Sequence, residues 1–195
     1  MLTLYHAPRS RSSRFIWLLE EIAAPYEIVK VDIRRSDGSG APDPRNPHPD
    51  RKVPALVHND VLVTESAAIC VYLSDAFPQA KVGPQVGDLR RGAYLTWLAY
   101  YAGVMEPAVI ARSTGLTETD PAQGAAYSAM TERLRRALEA GPFLLGDAFS
   151  AADVLVTSVF QWARALMPAG PAFDAYVDRM AQRPALRRAL EKDDA

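Results

Sequence analysis

The sequence has few of the residues that build covalent cross-links or metal sites. Its 195 residues include one cysteine, Cys70, and three histidines, His6, His48 and His58. A single cysteine excludes an intrachain disulfide and a cysteine-rich zinc site. The three histidines are scattered along the chain and lack the close spacing of a zinc ligand set. We therefore expect no bound metal ion.

The sequence also lacks a basic excess and a long apolar run. Its 22 basic residues face 23 acidic ones, which argues against a general nucleic-acid or membrane-surface binder. There is no stretch of about 18 apolar residues and no charged, apolar leader. Hydrophobic residues make up 49% of the chain, enough for a sizeable core. These features predict a soluble cytoplasmic protein without a nucleic-acid or membrane partner.

What is present at the start of the chain is an alternation of strand and helix patterns. Residues 2–5 form a short β-prone run, and residues 12–23 repeat apolar side chains at helical spacing. Residues 26–33 then alternate between apolar and charged side chains, as in a half-buried strand. This β-α-β order predicts two parallel strands joined by a right-handed crossover.

A hairpin and a second helix are predicted to follow. Residues 36–51 are crowded with Pro, Gly and Asp and indicate a loop. Two apolar runs flank Asn59 and Asp60, which is typical of a β-hairpin. Ser66 begins the next helical pattern, and Pro78 ends it.

After that proline the remaining patterns are helical, so we predict an α/β domain followed by an all-α domain. The division expected from the patterns is 1–78, a linker at 79–87, and a helical domain at 88–195. The predicted helices of the second part are 88–112, 121–140, 150–166, 171–182 and 184–192.

The first motif that could carry chemistry is "VPAL", where Val53 and Pro54 open a strand. If their peptide bond is cis, the backbone polar groups of Val53 can be turned toward a ligand. The alternative is an ordinary proline at the start of a strand, where it need not donate a hydrogen bond.

The second motif is "TESAAIC", in which Glu65 precedes Ser66 at a helix start. Ser66 is a good N-cap, and capping alone would explain it. The functional alternative is a site for an α-amino acid. Its carboxylate would meet the helix N-terminus and the Ser66 hydroxyl, and its ammonium would meet Glu65.

The third motif, "FLLGDAFSAADV", indicates a structural helix start. Ser150 and Asp153 have the spacing of a capping box, and Phe149 and Val154 that of a hydrophobic staple. We expect these four residues to fix the entry of a buried helix without a ligand.

In this order, the β-α-β start, "KVPALV", "TESAAICVYL" and the helical half with "FLLGDAFSAADV" resemble the cytosolic glutathione transferases. The resemblance covers nearly the whole chain. It implies a thioredoxin-like N-terminal domain, an all-helical C-terminal domain and a homodimer with two-fold symmetry. It also implies glutathione as co-substrate, a small-molecule electrophile as second substrate, and a role in detoxification.

The resemblance assigns the glutathione contacts residue by residue. Glu65 and Ser66 take the place of the pair that holds the γ-glutamyl end. Val53, before Pro54, takes the place of the residue whose backbone pairs with the cysteinyl part. Lys52 is the leading candidate for the glycyl carboxylate. Because "NPHPDRKVP" is two residues longer than the usual family pattern, Arg51 or His48 could replace or assist it.

The resemblance also implies a residue that activates the thiol. Ser10 stands four residues before Arg14, the interval of the serine-type members, and Ser12 is the alternative. Tyr5 resembles a core residue of the first strand, and Cys70 lies inside a predicted helix. A serine hydroxyl would donate a hydrogen bond to the sulfur and favour the thiolate, with help from the N-terminus of the first helix.

The second substrate is expected against the helical half. Tyr101 and Met105 lie four residues apart on one predicted helix, and they could line an apolar electrophile site or belong to the core. Three alternatives keep the fold and glutathione but change the reaction: an isomerase, a dehalogenase or an ether-cleaving enzyme. A fourth is a non-catalytic scaffold.

Overall fold

The computed structural model describes residues 1–194, which divide into two compact units. The first comprises Met1–Ala80 together with the C-terminal segment from Arg183 onward, and the second comprises Lys81–Gln182. The sequence-based division differs at the C-terminal segment, which it assigned to the helical domain.

The first unit is built on a four-stranded mixed sheet. Its strands are β1 Leu2–His6, β2 Glu27–Lys30, β3 Ala55–His58 and β4 Val61–Thr64, in the order β2-β1-β3-β4. Strands β1 and β2 are parallel, whereas β3 is antiparallel to both β1 and β4. The β-α-β start and the hairpin predicted from the sequence are confirmed. Strand β2 is shorter than the predicted 26–33.

The β3–β4 hairpin turns through the residues that the sequence indicated. Asn59 and Asp60 both have positive φ, 48° and 66°. Two consecutive left-handed residues match the right-handed twist of the flanking strands.

Nine α-helices occur in the described residues. They are α1 Ser13–Ile22, α2 Ser66–Ala76, α3 Arg91–Tyr100, α4 Glu106–Ser113, α5 Leu116–Thr119, α6 Pro121–Ala140, α7 Ala151–Trp162, α8 Pro171–Ala181 and α9 Pro184–Asp193. Single 3-10 turns lie at Pro78–Ala80 and Arg164–Leu166.

The last helix, α9, packs on α1 within the first unit. Its small apolar face is buried, with Ala185, Leu186 and Ala189 each at most 4% exposed. Two acidic residues near the end of α1 bind its cations: Glu20 accepts from Arg188 at 2.6 Å and from Lys192, and Glu21 accepts from Arg183 at 2.5 Å. Matching apolar and charged faces therefore hold α9 against the α/β unit.

In the second unit, α7 is the central helix, and its residues 151–160 are all buried. The predicted capping box is present at its start. Ser150 N–H donates to Asp153 Oδ2 at 2.8 Å, and the Ser150 side chain accepts from the backbone N–H of Asp153.

The helix predicted over 88–112 is interrupted by a π-helical segment, Tyr101–Met105, between α3 and α4. The break has a local cause in Pro107, which follows in the first turn of α4. A proline has no N–H to donate, and its ring would clash with the carbonyl of Gly103 in a regular α-helix. A wider turn relieves that clash.

Candidate functional site

Three connections of the first unit emerge at one edge of its sheet. In the strand register, Tyr5 near the end of β1 is paired with Ala55 at the start of β3. Ala55 is in turn paired with Thr64 at the end of β4. The segments that follow β1, precede β3 and follow β4 therefore leave the sheet at the same edge.

Those segments carry the residues that the sequence singled out. Ser10 follows β1, Val53 and Pro54 precede β3, and Glu65 and Ser66 follow β4. They come from three separate parts of the chain, and the sheet topology brings them to a common edge.

Ser10 lies half-buried in the turn before α1. Its backbone N–H donates to Ser13 Oγ at 3.2 Å, and its carbonyl accepts from the Ser13 N–H at 3.1 Å. Its hydroxyl oxygen accepts from the Ser12 N–H at 3.1 Å and lies 2.7 Å from Ser12 Oγ. The turn thus fixes Ser10 beside the N-terminus of α1, where the partial charge of the helix is positive.

Ser12 faces the interior instead. It is fully buried, and its Oγ lies 2.9 Å from His6 Nδ1. The same atom accepts from the Ala7 N–H at 3.1 Å and lies 3.3 Å from the Ala7 carbonyl oxygen. With its oxygen committed to these groups, Ser12 is a poor candidate for direct ligand contact, which favours Ser10.

The sequence reasoning missed a buried histidine behind these serines. His6 is fully buried at the end of β1, and its Nε2 lies 3.1 Å from the carbonyl oxygen of Asp193 in α9. A carboxylate oxygen of Asp193 lies 3.4 Å from the same nitrogen. Burial lowers the pKa of His6, against the opposing effect of Asp193. No local signal could reveal this pair, because 187 residues separate its members.

The Val53–Pro54 peptide bond is cis. This is the condition under which we expected the backbone polar groups of Val53 to be turned toward a ligand. The Val53 side chain packs with Ala7 and Val31 in a small apolar cluster, and Tyr5 lies against that cluster. Tyr5 is half-buried in this position.

The start of α2 differs from the sequence prediction in one respect. Ser66 is the first helical residue, and Glu65 occupies the N-cap position in its place. The Glu65 side chain makes no capping hydrogen bond in the described structure, so it leaves the first N–H groups of α2 to other acceptors. Glu65 is exposed and has φ 67° and ψ 125°. A non-glycine residue in such a conformation costs about 1–3 kcal/mol, and such strain clusters at functional sites.

The three basic candidates in the loop before β3 have different surroundings. His48 is buried, and its Nδ1 accepts from the Asp50 N–H at 3.0 Å. Arg51 donates to the Pro44 carbonyl at 3.2 Å and to the Asn46 carbonyl. The side chain of Lys52 is 74% exposed, and its Nζ lies 4.0 Å from a carboxylate oxygen of Asp50. Lys52 thus keeps an exposed ammonium in a long ion pair with Asp50, whereas Arg51 and His48 are hydrogen-bonded to the loop backbone.

The remaining candidates are buried. Tyr101 and Met105 are 2% and 0% exposed, and the Tyr101 hydroxyl donates to Glu106 at 3.0 Å. Both have the burial of core residues, the interpretation that the sequence left open. Cys70 is fully buried in α2, and burial raises the pKa of its thiol, which agrees with its exclusion as the activating residue.

Across residues 1–194, no group of three or more His, Cys, Asp and Glu side chains could hold a metal ion. No helix within that range is long and apolar enough to cross a membrane.

Comparison with known proteins agrees with the fold. Residues 1–75 match the model of the glutathione S-transferase N-terminal domain, and residues 107–192 match that of the C-terminal domain. The chain is 26% identical to the glutathione S-transferase GstA of Escherichia coli O157:H7 over 198 residues, covering 98% of each chain.

Two solved structures show the same similarity. A sphingomonad glutathione S-transferase complexed with glutathione is 29% identical, with a TM-score of 0.81 and 98% of each chain covered. The bacterial transferase BphK, solved as a ternary complex, is 25% identical, with a TM-score of 0.82 and coverage of 99% of this chain and 100% of that one. With a thioredoxin-like unit, a helical unit and both domain models matched in order, the chain belongs to the cytosolic glutathione transferase family.

Proposed function

We propose that this transferase binds glutathione at the common sheet edge and that Ser10 stabilises its thiolate for attack on an apolar electrophile. The observation that carries the proposal is the register of Tyr5, Ala55 and Thr64, which brings three separate chain segments to that edge. The similar sphingomonad enzyme, whose structure was solved with glutathione, supports the choice of ligand.

The groups around Ser10 can stabilise the negative charge of a thiolate. A free thiol has a pKa of about 8.5, so little thiolate is present at neutral pH. A hydroxyl is too weak a base to remove the proton, but its O–H can donate to the sulfur and so favour the charged form. The N-terminus of α1, which begins at Ser13, adds a positive partial charge. The thiolate then forms a bond to an electrophilic carbon, which loses a leaving group with its electron pair or, in an addition, passes the electron pair of a π bond to the neighbouring atom.

The start of α2 suits the γ-glutamyl end of glutathione. That end carries a carboxylate and an ammonium on one carbon. The uncapped N–H groups of α2 and the Ser66 hydroxyl can donate to the carboxylate. The exposed Glu65 carboxylate supplies the opposite charge for the ammonium. The strained backbone of Glu65 further supports a binding role.

The other two glutathione contacts are assigned to residues of the loop before β3. The backbone of Val53, next to the cis bond, is proposed to pair with the cysteinyl part of glutathione. Lys52, exposed and lightly paired, is proposed to bind the glycyl carboxylate. The electrophile is assigned to the helical unit near the π-helical segment, because such segments frequently occur at functional sites.

The cytoplasmic location, the homodimer and the detoxifying role expected from the family are part of the same proposal. Light scattering of the purified protein tests the homodimer, and a monomer mass would contradict it.

The test of Ser10 is an ultraviolet titration of the thiolate in the glutathione complex. We expect the bound thiol pKa to lie below the free value, Ser10→Ala to raise it, and Ser10→Thr, which keeps a hydroxyl, to restore it. Absence of thiolate in the wild-type complex at neutral pH would overturn the enzyme assignment. An unchanged pKa in Ser10→Ala would overturn the role of Ser10.

Glu65 is tested by calorimetric titration with glutathione. Loss of a charged hydrogen bond costs about 1.5–3 kcal/mol, so Glu65→Ala should weaken binding by about tenfold to a hundredfold. Glu27→Ala is the matched control, because Glu27 is also exposed and lies at the start of β2, beside Thr3 and away from the strand ends that carry the site. Equal affinities for the two variants would refute the assignment of Glu65.

A further inference from the structure

Behind Ser10, the structure contains a continuous chain of hydrogen-bonding groups that ends in α9. Ser10 Oγ lies 2.7 Å from Ser12 Oγ, which lies 2.9 Å from His6 Nδ1. His6 Nε2 lies 3.1 Å from the carbonyl oxygen of Asp193. Ser12 and His6 are fully buried, so Ser10 is the point at which this chain reaches the accessible side of the turn.

The chemistry of the partners fixes the direction of these hydrogen bonds. His6 Nε2 faces two oxygens of Asp193, so this nitrogen carries the proton of the neutral ring, and Nδ1 is an acceptor. Ser12 therefore donates its single proton to Nδ1, the nearer of its two acceptors. Its oxygen accepts from the Ala7 N–H and, at 2.7 Å, from the Ser10 hydroxyl. In this state the proton of Ser10 points inward.

We propose that this chain is a proton relay, through which the thiol proton of bound glutathione moves to His6. The inference rests on the proposed role of Ser10. The thiol S–H bond breaks and its proton passes to Ser10 Oγ, the Ser10 proton passes to Ser12 Oγ, and the Ser12 proton passes to His6 Nδ1. The products are a thiolate and an imidazolium, with no net gain or loss of protons.

The transfer reverses every hydrogen bond in the chain. His6 Nδ1 now donates to Ser12, Ser12 donates to Ser10, and Ser10 donates to the sulfur. The orientation of Ser10 that stabilises a thiolate is thus the orientation that the transfer produces. His6 and Ser12 are positioning residues in this scheme, because they act on the substrate through Ser10.

The surroundings of His6 suit a ring that is neutral at rest and charged after transfer. Burial and Lys30 of β2 lower the pKa of His6, whereas Asp193 and Asp194 at the end of α9 raise it. Asp193 Oδ1 is buried, accepts no hydrogen bond in the described structure, and lies 3.4 Å from Nε2. A carboxylate oxygen in that position is available to the imidazolium when it forms.

The relay makes a prediction that a purely structural His6 does not. If the thiol proton is held on His6, thiolate forms on binding without release of a proton to the buffer. Proton release is measured by calorimetric titration in buffers of different ionisation enthalpy, with thiolate followed by ultraviolet absorbance. S-methylglutathione, which has no thiol proton, gives the background from all other groups.

Three proteins are compared: the wild type, His6→Gln and His58→Gln. Glutamine keeps a donor at the end of the side chain but cannot take up the relayed proton. His58 is the matched control, because it is a half-buried histidine of the same unit that hydrogen-bonds to the Tyr72 hydroxyl at 3.0 Å. We expect thiolate with little proton release in the wild type and in His58→Gln.

In His6→Gln we expect the bound thiol pKa to rise by about one unit, a tenfold loss of thiolate near neutral pH. Any thiolate that forms should then release its proton to the buffer, and the Michaelis constant for glutathione should stay unchanged. Appearance of an imidazolium nitrogen resonance from His6 on addition of glutathione to the wild type would support the relay independently of any variant.

The outcomes separate the two proposals. No thiolate in the wild type overturns the proposed function, and the relay with it. Thiolate with release of one proton per sulfur in the wild type overturns the relay and leaves the role of Ser10 intact.

Discussion

At the scale of single residues, Asp153 has a deeply buried carboxylate that accepts four hydrogen bonds. Its carboxylate accepts from the backbone N–H groups of Leu144 and Ser150 and from the hydroxyls of Ser150 and Tyr176, at 2.8–3.1 Å. Burial nevertheless dominates and raises the pKa of Asp153 to about 6. The protonated form is therefore favoured by folding.

This shift predicts a pH dependence of stability. The folded-state pKa lies above the unfolded value, so the contribution of Asp153 is fully present below about pH 4. It is lost as the pH rises through about 6, with a total change of about 3 kcal/mol for two pKa units. The wild type should lose this stability relative to Asp153→Asn, which does not titrate in that range.

Urea unfolding of both proteins at a series of pH values measures the difference. Asp147→Asn is the control, because Asp147 is exposed in the same connection and its replacement should leave the pH profile of the wild type unchanged. A constant difference between the wild type and Asp153→Asn across this range would refute the prediction.

Some residue roles could be inferred from the sequence, and others could not. The interval from Ser10 to Arg14 favoured Ser10 over Ser12, and the structure gives Ser10 the accessible position. The partner of His6 could not be inferred, because its contact with Asp193 depends on the packing of α9 against α1. Sequence spacing carries no information about such a contact.

At the scale of elements, the loop before β3 is organised by a buried amide. Asn46 is fully buried, its Nδ2 donates to the Lys52 carbonyl at 2.9 Å, and its Oδ1 accepts from the His48 N–H at 3.0 Å. These two bonds join the middle of the loop to Lys52, the residue before Val53. They fix the backbone next to the proposed cysteinyl contact.

We therefore expect Asn46→Ala to weaken glutathione binding as well as stability. The substitution leaves the part-buried Lys52 carbonyl and the buried His48 N–H without this partner, at a cost of about 1–3 kcal/mol for a buried group and less where water can reach it. Calorimetric affinity and urea unfolding should both change. Asn59→Ala, in the exposed hairpin turn, is the comparison for affinity. If Asn46→Ala loses stability but binds glutathione normally, the loop does not position the ligand.

Regular elements were predicted well where their patterns are local. The alternation in β2 and the Asn59-Asp60 turn follow from side-chain periodicity and turn chemistry, and both are present. The π-helical segment was missed because its five residues make a single wide turn, which is too short to show a period of its own within a helical pattern. Pro107 was the available signal for it, since a proline inside a helical pattern disturbs the turn before it.

At the scale of the whole molecule, the chain leaves the α/β unit at Ala80 and returns to it at Arg183. The sequence predicted the helix that became α9, but its helical pattern could not show which unit it would cover. Its small apolar face fits α1, and three of its cations bind the two acidic residues of that helix. The first unit is thus completed by the last segment of the chain.

A truncation tests this dependence. A chain ending at Gln182 lacks α9, so it exposes apolar surface of α1 and leaves Glu20, which is 9% exposed in the whole chain, without its cations. Burial of a residue such as Leu186 contributes about 1.5–3 kcal/mol, and a nearly buried carboxylate without its partners is unfavourable. We expect the truncated protein to lose native packing in its first unit, measured by near-ultraviolet circular dichroism and by proteolysis.

A chain ending at Leu190 is the matched control. It keeps Arg183, Leu186 and Arg188 but lacks Asp193, whose oxygens face His6. This protein should fold, with a small loss of stability, because most of the α1–α9 contact remains. It should also release the glutathione proton to the buffer, because His6 has lost the groups that stabilise its charge. Proton retention by the Leu190-terminated chain would show that α9 supports the fold without supporting the relay.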